Sequence, residues 1–154
     1  MELNLRHTLA TLAYRAGKAL RDAPESFANF TPNDRSRTPV QILAHMGDLF
    51  DWALSLAKGK QEWHDAPPLP WDEEVSRFFR SLEAFDSYLA DGGTVGCSAD
   101  QLFQGPIADA LTHTGQLKYL RGMAAIPVRP ENYFKATIAA GQVGKEQAKP
   151  KVEF

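Results

Sequence analysis

Between Pro70 and Asp91, the residues Trp71, Val75, Phe78, Leu82, Phe85 and Leu89 recur at alternating intervals of four and three. That spacing stacks six large apolar side chains along one stripe of an α-helix, and such a stripe has to be buried against other elements. Pro70 precedes the stripe, and Asp91-Gly92-Gly93 ends it with residues that suit a turn rather than a helix interior. What covers this seam is therefore the first question about the fold.

Three further segments carry the same period, and none shows the strict alternation of a half-buried strand. The first runs from about Leu3 to Arg21, with Leu5, Leu9, Leu12, Ala16, Ala19 and Leu20 on one face. Another opens at Thr38-Pro39-Val40-Gln41, which combines a Thr N-cap, Pro at the first helical position and Gln three residues after the cap; it ends near Lys58-Gly59. The last has a capping box at Ser98 to Gln101. Gly105-Pro106 is expected to break it, so that the main helix restarts at Pro106 and reaches about Met123. Four helices of this length predict an all-α four-helix bundle over residues 1–141, with one short helix around Tyr133 to Ala139 and a loose tail over 142–154. In an up-down-up-down bundle the second and fourth helices run parallel.

Composition narrows the function. The 154 residues carry a formal net charge of -2, so there is no cationic excess to neutralise phosphates, and nucleic acid is not an expected partner. No uncharged apolar run approaches the roughly 20 residues of a membrane span. The first ten residues lack the apolar core of a signal peptide. The one cysteine, Cys97, fits a reducing compartment, and the expected location is cytoplasmic.

At about 100° per residue, the second helix puts Ile42, Met46, Leu49, Phe50, Trp52, Ala53 and Leu56 on one side and Gln41, Asp48, Asp51, Ser55 and Lys58 on the other. His45 falls on the apolar side. On the last helix, Asp109, His113 and Gln116 form a polar stripe among Leu102, Pro106, Leu117 and Leu120. With parallel helices, His45, Asp109 and His113 come to one level. Two imidazoles and a carboxylate at one depth form a 2-His-1-carboxylate set, which holds a divalent metal and leaves positions open for water and substrate. Spacing alone is equally compatible with a hydrogen-bonded His–Asp pair in the core.

Around that trio, Gln116 is a candidate partner of a ligand or of substrate, and Trp52 is a candidate pocket wall or simply core. Arg121 and Tyr119 are candidates for receiving an anion at the mouth, or else surface residues. Asp48 lies near the edge of the apolar arc, close enough to support a ligand. His64 and His7 are expected to be solvated. Cys97 has no cationic neighbour in sequence to activate it. Gly115 and Gly122 lie opposite His113, where another helix or a second subunit can approach closely.

The run Gln104-Gly105-Pro106-Ile107-Ala108-Asp109-Ala110-Leu111-Thr112-His113-Thr114-Gly115-Gln116-Leu117, followed by Tyr119-Leu120-Arg121-Gly122 and Ile126-Pro127-Val128, resembles the last bundle helix of the DinB-like superfamily. There a His-x3-His-x2-Gln-Leu pattern leads into Leu-Arg and a Pro-containing turn. Ile42-Leu43-Ala44-His45 resembles the His-bearing second helix of the same group. The resemblance implies an up-down-up-down-like bundle, often dimeric, with three side chains holding a divalent metal. It also implies relatives that include bacillithiol and mycothiol S-transferases and a mycothiol-dependent maleylpyruvate isomerase. Asp109 stands where the pattern has its first His. That keeps a metal-competent group but adds negative charge, which favours Mn or Fe(II) beside Zn or Ni. The expected function is thus a divalent-metal-dependent enzyme acting on a small molecule: a thiol-dependent S-transferase using a low-molecular-weight thiol, or a metal-assisted hydrolase. The alternatives are a non-catalytic helical module with a structural metal, or a ligand-binding sensor.

Overall fold

A computed structural model describes residues 4–92 and 95–154; Leu3 and Gly93, expected at a helix start and a helix stop, lie outside them. The architecture is an all-helical four-helix bundle. Its helices are α1 (Leu5–Leu20), α2 (Pro39–Ala57), α3 (Trp71–Ala90) and a composite last helix made of α4 (Ala99–Leu102), a π-helical turn (Phe103–Ile107) and α5 (Ala108–Met123). The expected caps form as written. The Thr38 hydroxyl accepts from the Gln41 amide while the Gln41 side chain accepts from the Thr38 amide, and Gly59 closes the C-terminus at φ 75°. Along the α3 seam, Trp71, Val75, Phe78, Leu82 and Phe85 are all buried.

α3 packs on α2 and α1, and α5 packs on α1 and α2, so the cyclic order is α1, α3, α2, α5. The directions differ from the alternating expectation. Arg77 reaches the Ala44 carbonyl, Phe50 meets Phe78 and Phe85, and Lys58 lies over Tyr88, so α2 and α3 run parallel. The Gly96 amide donates to Ala57, Gly105 faces Trp52, and His45 meets Asp109 and His113, so α2 and the last helix run antiparallel. The bundle is up-down-down-up. The reason lies in the segment between α2 and α3: the 19-residue α2 is about 28 Å long at 1.5 Å per residue. Residues 59–70, extended and rich in Pro, span up to about 40 Å, enough to run back along the whole helix.

Two further expectations are corrected. Gly105-Pro106 does not break the last helix. A π turn absorbs Pro106, because its wider ring of atoms keeps the pyrrolidine clear of the preceding carbonyl and tolerates the missing N–H. Leu102 and Ile107, on either side, are fully buried.

The short helix expected around Tyr133 to Ala139 is present as a 3-10 turn, but the residues after it are not loose. Tyr133–Lys135 is one 3-10 turn, Glu131 and Glu153 form an isolated antiparallel bridge, and Val143 is buried. Lys18 of α1, itself buried, binds Glu131 at 2.7 Å and Glu153 at 2.9 Å, and the Tyr14 hydroxyl donates to Glu131. Burial works against the Lys18 ammonium, but the bonds to Glu131 and Glu153 outweigh it and leave its pKa raised. A tail without apolar periodicity is thus held by ion pairs, which periodicity does not reveal.

Candidate metal centre

The edge between α2 and α5 brings together the three residues expected to converge. His45 projects from the middle of α2, and Asp109 and His113 lie one turn apart on α5. His45 Nε2 is 3.3 Å from Asp109 Oδ2, and His113 Nε2 is 3.4 Å from Asp109 Oδ1. The imidazoles are perpendicular, with centroids 4.9 Å apart. One ligand atom from each residue lies within 4.8 Å of the others, the size of a site that could hold one metal ion.

The carboxylate is less buried than the helical phase implied. The Asp109 side chain is 45% exposed, against 21% for His45 and 11% for His113. The trio sits at the rim of the core with its acidic member facing solvent. Asp109 therefore needs no burial-driven partner, and the set has an open side.

Gln116 orients the centre. Its Oε1 lies 2.7 Å from His113 Nδ1, a contact in which Nδ1–H donates, and the ring is held with Nε2 facing Asp109. His113 Nε2 and Asp109 Oδ1 face each other across 3.4 Å, a gap that either a proton on Nε2 or a cation would bridge.

Trp52 is half-buried and reaches His45 through an intermediary: it packs edge-on against Trp63, which packs on His45 at 5.5 Å. Trp63 comes from the crossover after α2, and its Nε1 donates to Asp65. Sequence reasoning missed it because a loop Trp beside a loop His carries no helical phase. The one cue was a large aromatic in a stretch otherwise rich in polar residues and Pro.

Arg121 does not stand at the mouth. It is buried, and its guanidinium is committed to the carbonyls of Ala19, Arg21 and Ile126, tying the ends of α1 and α5 together. Burial pulls its pKa down, with Asp22 nearby acting in the opposite sense. Tyr119 is a surface residue, 72% exposed.

Asp48, expected at the boundary, is buried but does not support the trio. It pairs with Arg77 and accepts from the Ala66 amide. His7 and His64 are exposed, as expected. Burial pushes the half-buried Cys97 thiol up in pKa, which reduces its thiolate fraction. Beside the trio, an open groove of about 710 Å³ is lined by Ile42, His113, Gln116, Tyr119, Leu120 and Met123, among others. A smaller depression on the crossover side is bordered by Arg37, Gln41, His45 and Asp65.

No helix among the described residues is long and apolar enough to cross a membrane. Comparison with family models, curated proteins and solved structures yields no match.

Proposed function

We propose that the chain is a divalent-metal-dependent enzyme of the DinB-like type, with His45, Asp109 and His113 as ligands. The observation that carries this reading is the convergence of the three side chains on an open edge, where one donor atom from each lies within 4.8 Å of the others and Gln116 Oε1 lies 2.7 Å from His113 Nδ1. Two neutral imidazoles and one carboxylate leave a divalent ion with one net positive charge and free coordination positions, on a side open to solvent. Such an ion supplies Lewis acidity, drawing a thiol or water toward its nucleophilic form. Around it, Gln116 fixes the His113 tautomer, Trp63 and Trp52 wall off His45, and the groove accommodates a small-molecule substrate. The chemistry is transfer from a low-molecular-weight thiol or metal-assisted hydrolysis, with Zn, Ni, Mn or Fe(II) suited to the donor set. The protein works in the cytoplasm, where its one thiol stays reduced. It works as a homodimer, the state that the family resemblance implies.

Elemental analysis of tag-free protein tests the metal. About one divalent ion per chain is expected, lost in His113→Ala; no bound metal after supplementation would sink the reading. A screen of thiols with electrophiles, using Asp109→Ala as control, then separates transfer from hydrolysis.

A second reading draws on the 3.3 Å contact of His45 with Asp109, which a protonated His45 satisfies without any ion. In that reading the module is non-catalytic. It predicts an unchanged melting temperature on chelation, or, with a structural metal, a lowered one and no turnover.

A further inference from the structure

The groove beside the trio has an apolar wall and one uncommitted cation. Tyr119 and Met123 are 72% and 48% exposed, and with the more deeply set Ile42 and Leu120 they line the groove that also takes in His113. Isolated exposed apolar residues need no explanation, but a groove of them beside a polar centre is the usual make-up of a ligand site.

Arg37 borders both this groove and the depression beside His45, so it stands at the mouth on both sides of the trio. Among the described residues its side chain has no hydrogen-bond or ion-pair partner. The contrast with the other arginines near the core is sharp. Arg77 is saturated by Asp48, Asp51 and Glu74, and Arg121 by three carbonyls. Only Arg37 offers its guanidinium outward at the site.

We infer that Arg37 is the anion-recognising residue of this site, and that the ligand is a small amphipathic carboxylate. Its apolar body lies along Ile42, Tyr119, Leu120 and Met123, its carboxylate pairs with Arg37, and its reactive end faces the trio. A planar guanidinium matches a carboxylate with two parallel hydrogen bonds, a geometry that a lysine does not reproduce. The inference rests on the metal reading of the trio, and the experiment keeps the two apart.

Calorimetric titration of the zinc-supplemented full chain compares phenylbutanoate with its neutral isostere phenylbutanol. The acid should bind about fivefold more tightly than the alcohol, the scale of a solvent-accessible ion pair. Arg37→Gln, an exposed change that leaves the fold and the zinc content intact, should abolish that preference, and Arg37→Lys should restore part of it. Met123→Asp should weaken both compounds. Equal binding of acid and alcohol, a preference that survives Arg37→Gln, or indifference to Met123→Asp would each overturn the proposal. Zinc retained without an Arg37-dependent preference defeats this inference alone. An Arg37-dependent preference in a chain that holds no zinc defeats the metal reading and leaves Arg37 as the anion site.

Discussion

His45 and Asp48 are one turn apart on α2, yet they belong to opposite kinds of polar cluster. Asp48 is buried together with Glu74, and both are paired with one guanidinium, Arg77, which also reaches Asp51 and the Ala44 carbonyl. Burial works against the Arg77 charge, but its bonds to Asp48 and Glu74 outweigh this and leave the pKa raised. In that cluster three carboxylates share one guanidinium, and the two buried ones also accept from the Ala66 and Leu69 amides. At the trio, a half-exposed carboxylate lies between two imidazoles, and no Lys or Arg of the described residues pairs with it. A saturated cluster holds structure together, whereas an unsaturated one on an open edge has capacity left for a ligand.

The largest test of this contrast is Arg77→Met. It strands Asp48 and Glu74 in the core and should cost about 3–5 kcal/mol in denaturant unfolding. Asp109→Asn in metal-free protein should stay within about 0.5 kcal/mol, because that side chain is half in water. Equal losses from the two would erase the distinction.

Zinc addition should stabilise the parent by about 2.7 kcal/mol at a hundredfold excess over its dissociation constant, and should leave His113→Ala unmoved. A melting series with and without chelator reads both. Gln116→Ala, which frees the His113 ring without removing a ligand, should weaken metal affinity about tenfold while barely altering metal-free stability, as followed by competition with a chromogenic chelator.

The smallest effect belongs to the tail. The hydrogen bond from Lys18 holds the Glu153 carboxyl below the ordinary carboxylate range. A depressed carboxyl contributes stability above its unfolded pKa and loses it as pH falls through the folded value. Glu153→Gln should therefore lower the melting temperature slightly at neutral pH, and the gap between parent and variant should close in acid.

Much of the candidate site was legible because helical phase is a local property. His45 on the apolar arc, Asp109 and His113 at i and i+4, and Gln116 one turn beyond all follow from 3.6 residues per turn. The level at which they meet came from a wrong premise, since α2 and α5 are antiparallel. The exposure of Asp109 was not legible either, because phase reports direction from a helix axis and not how far neighbouring helices reach over it. Arg121 shows the same gap. Its place near the end of α5 pointed to a mouth, but the packing of the end of α1 beside it supplied two carbonyls, and Ile126 just past α5 a third, that together occupy its guanidinium. Arg37, one residue before the Thr38 cap, had no periodic signal at all.

By itself, the sequence determined four amphipathic helices, the caps that start α2 and α4, and the residue types able to bind a metal. Each depends on interactions within a few turns of chain. Tertiary structure alone decided the up-down-down-up course, the ion pairs that bind the tail to α1, and the division of polar residues into a closed Arg77 cluster and an open histidine–aspartate edge. Those outcomes depend on which charges meet across distant segments and which are left facing water, and no local period encodes that.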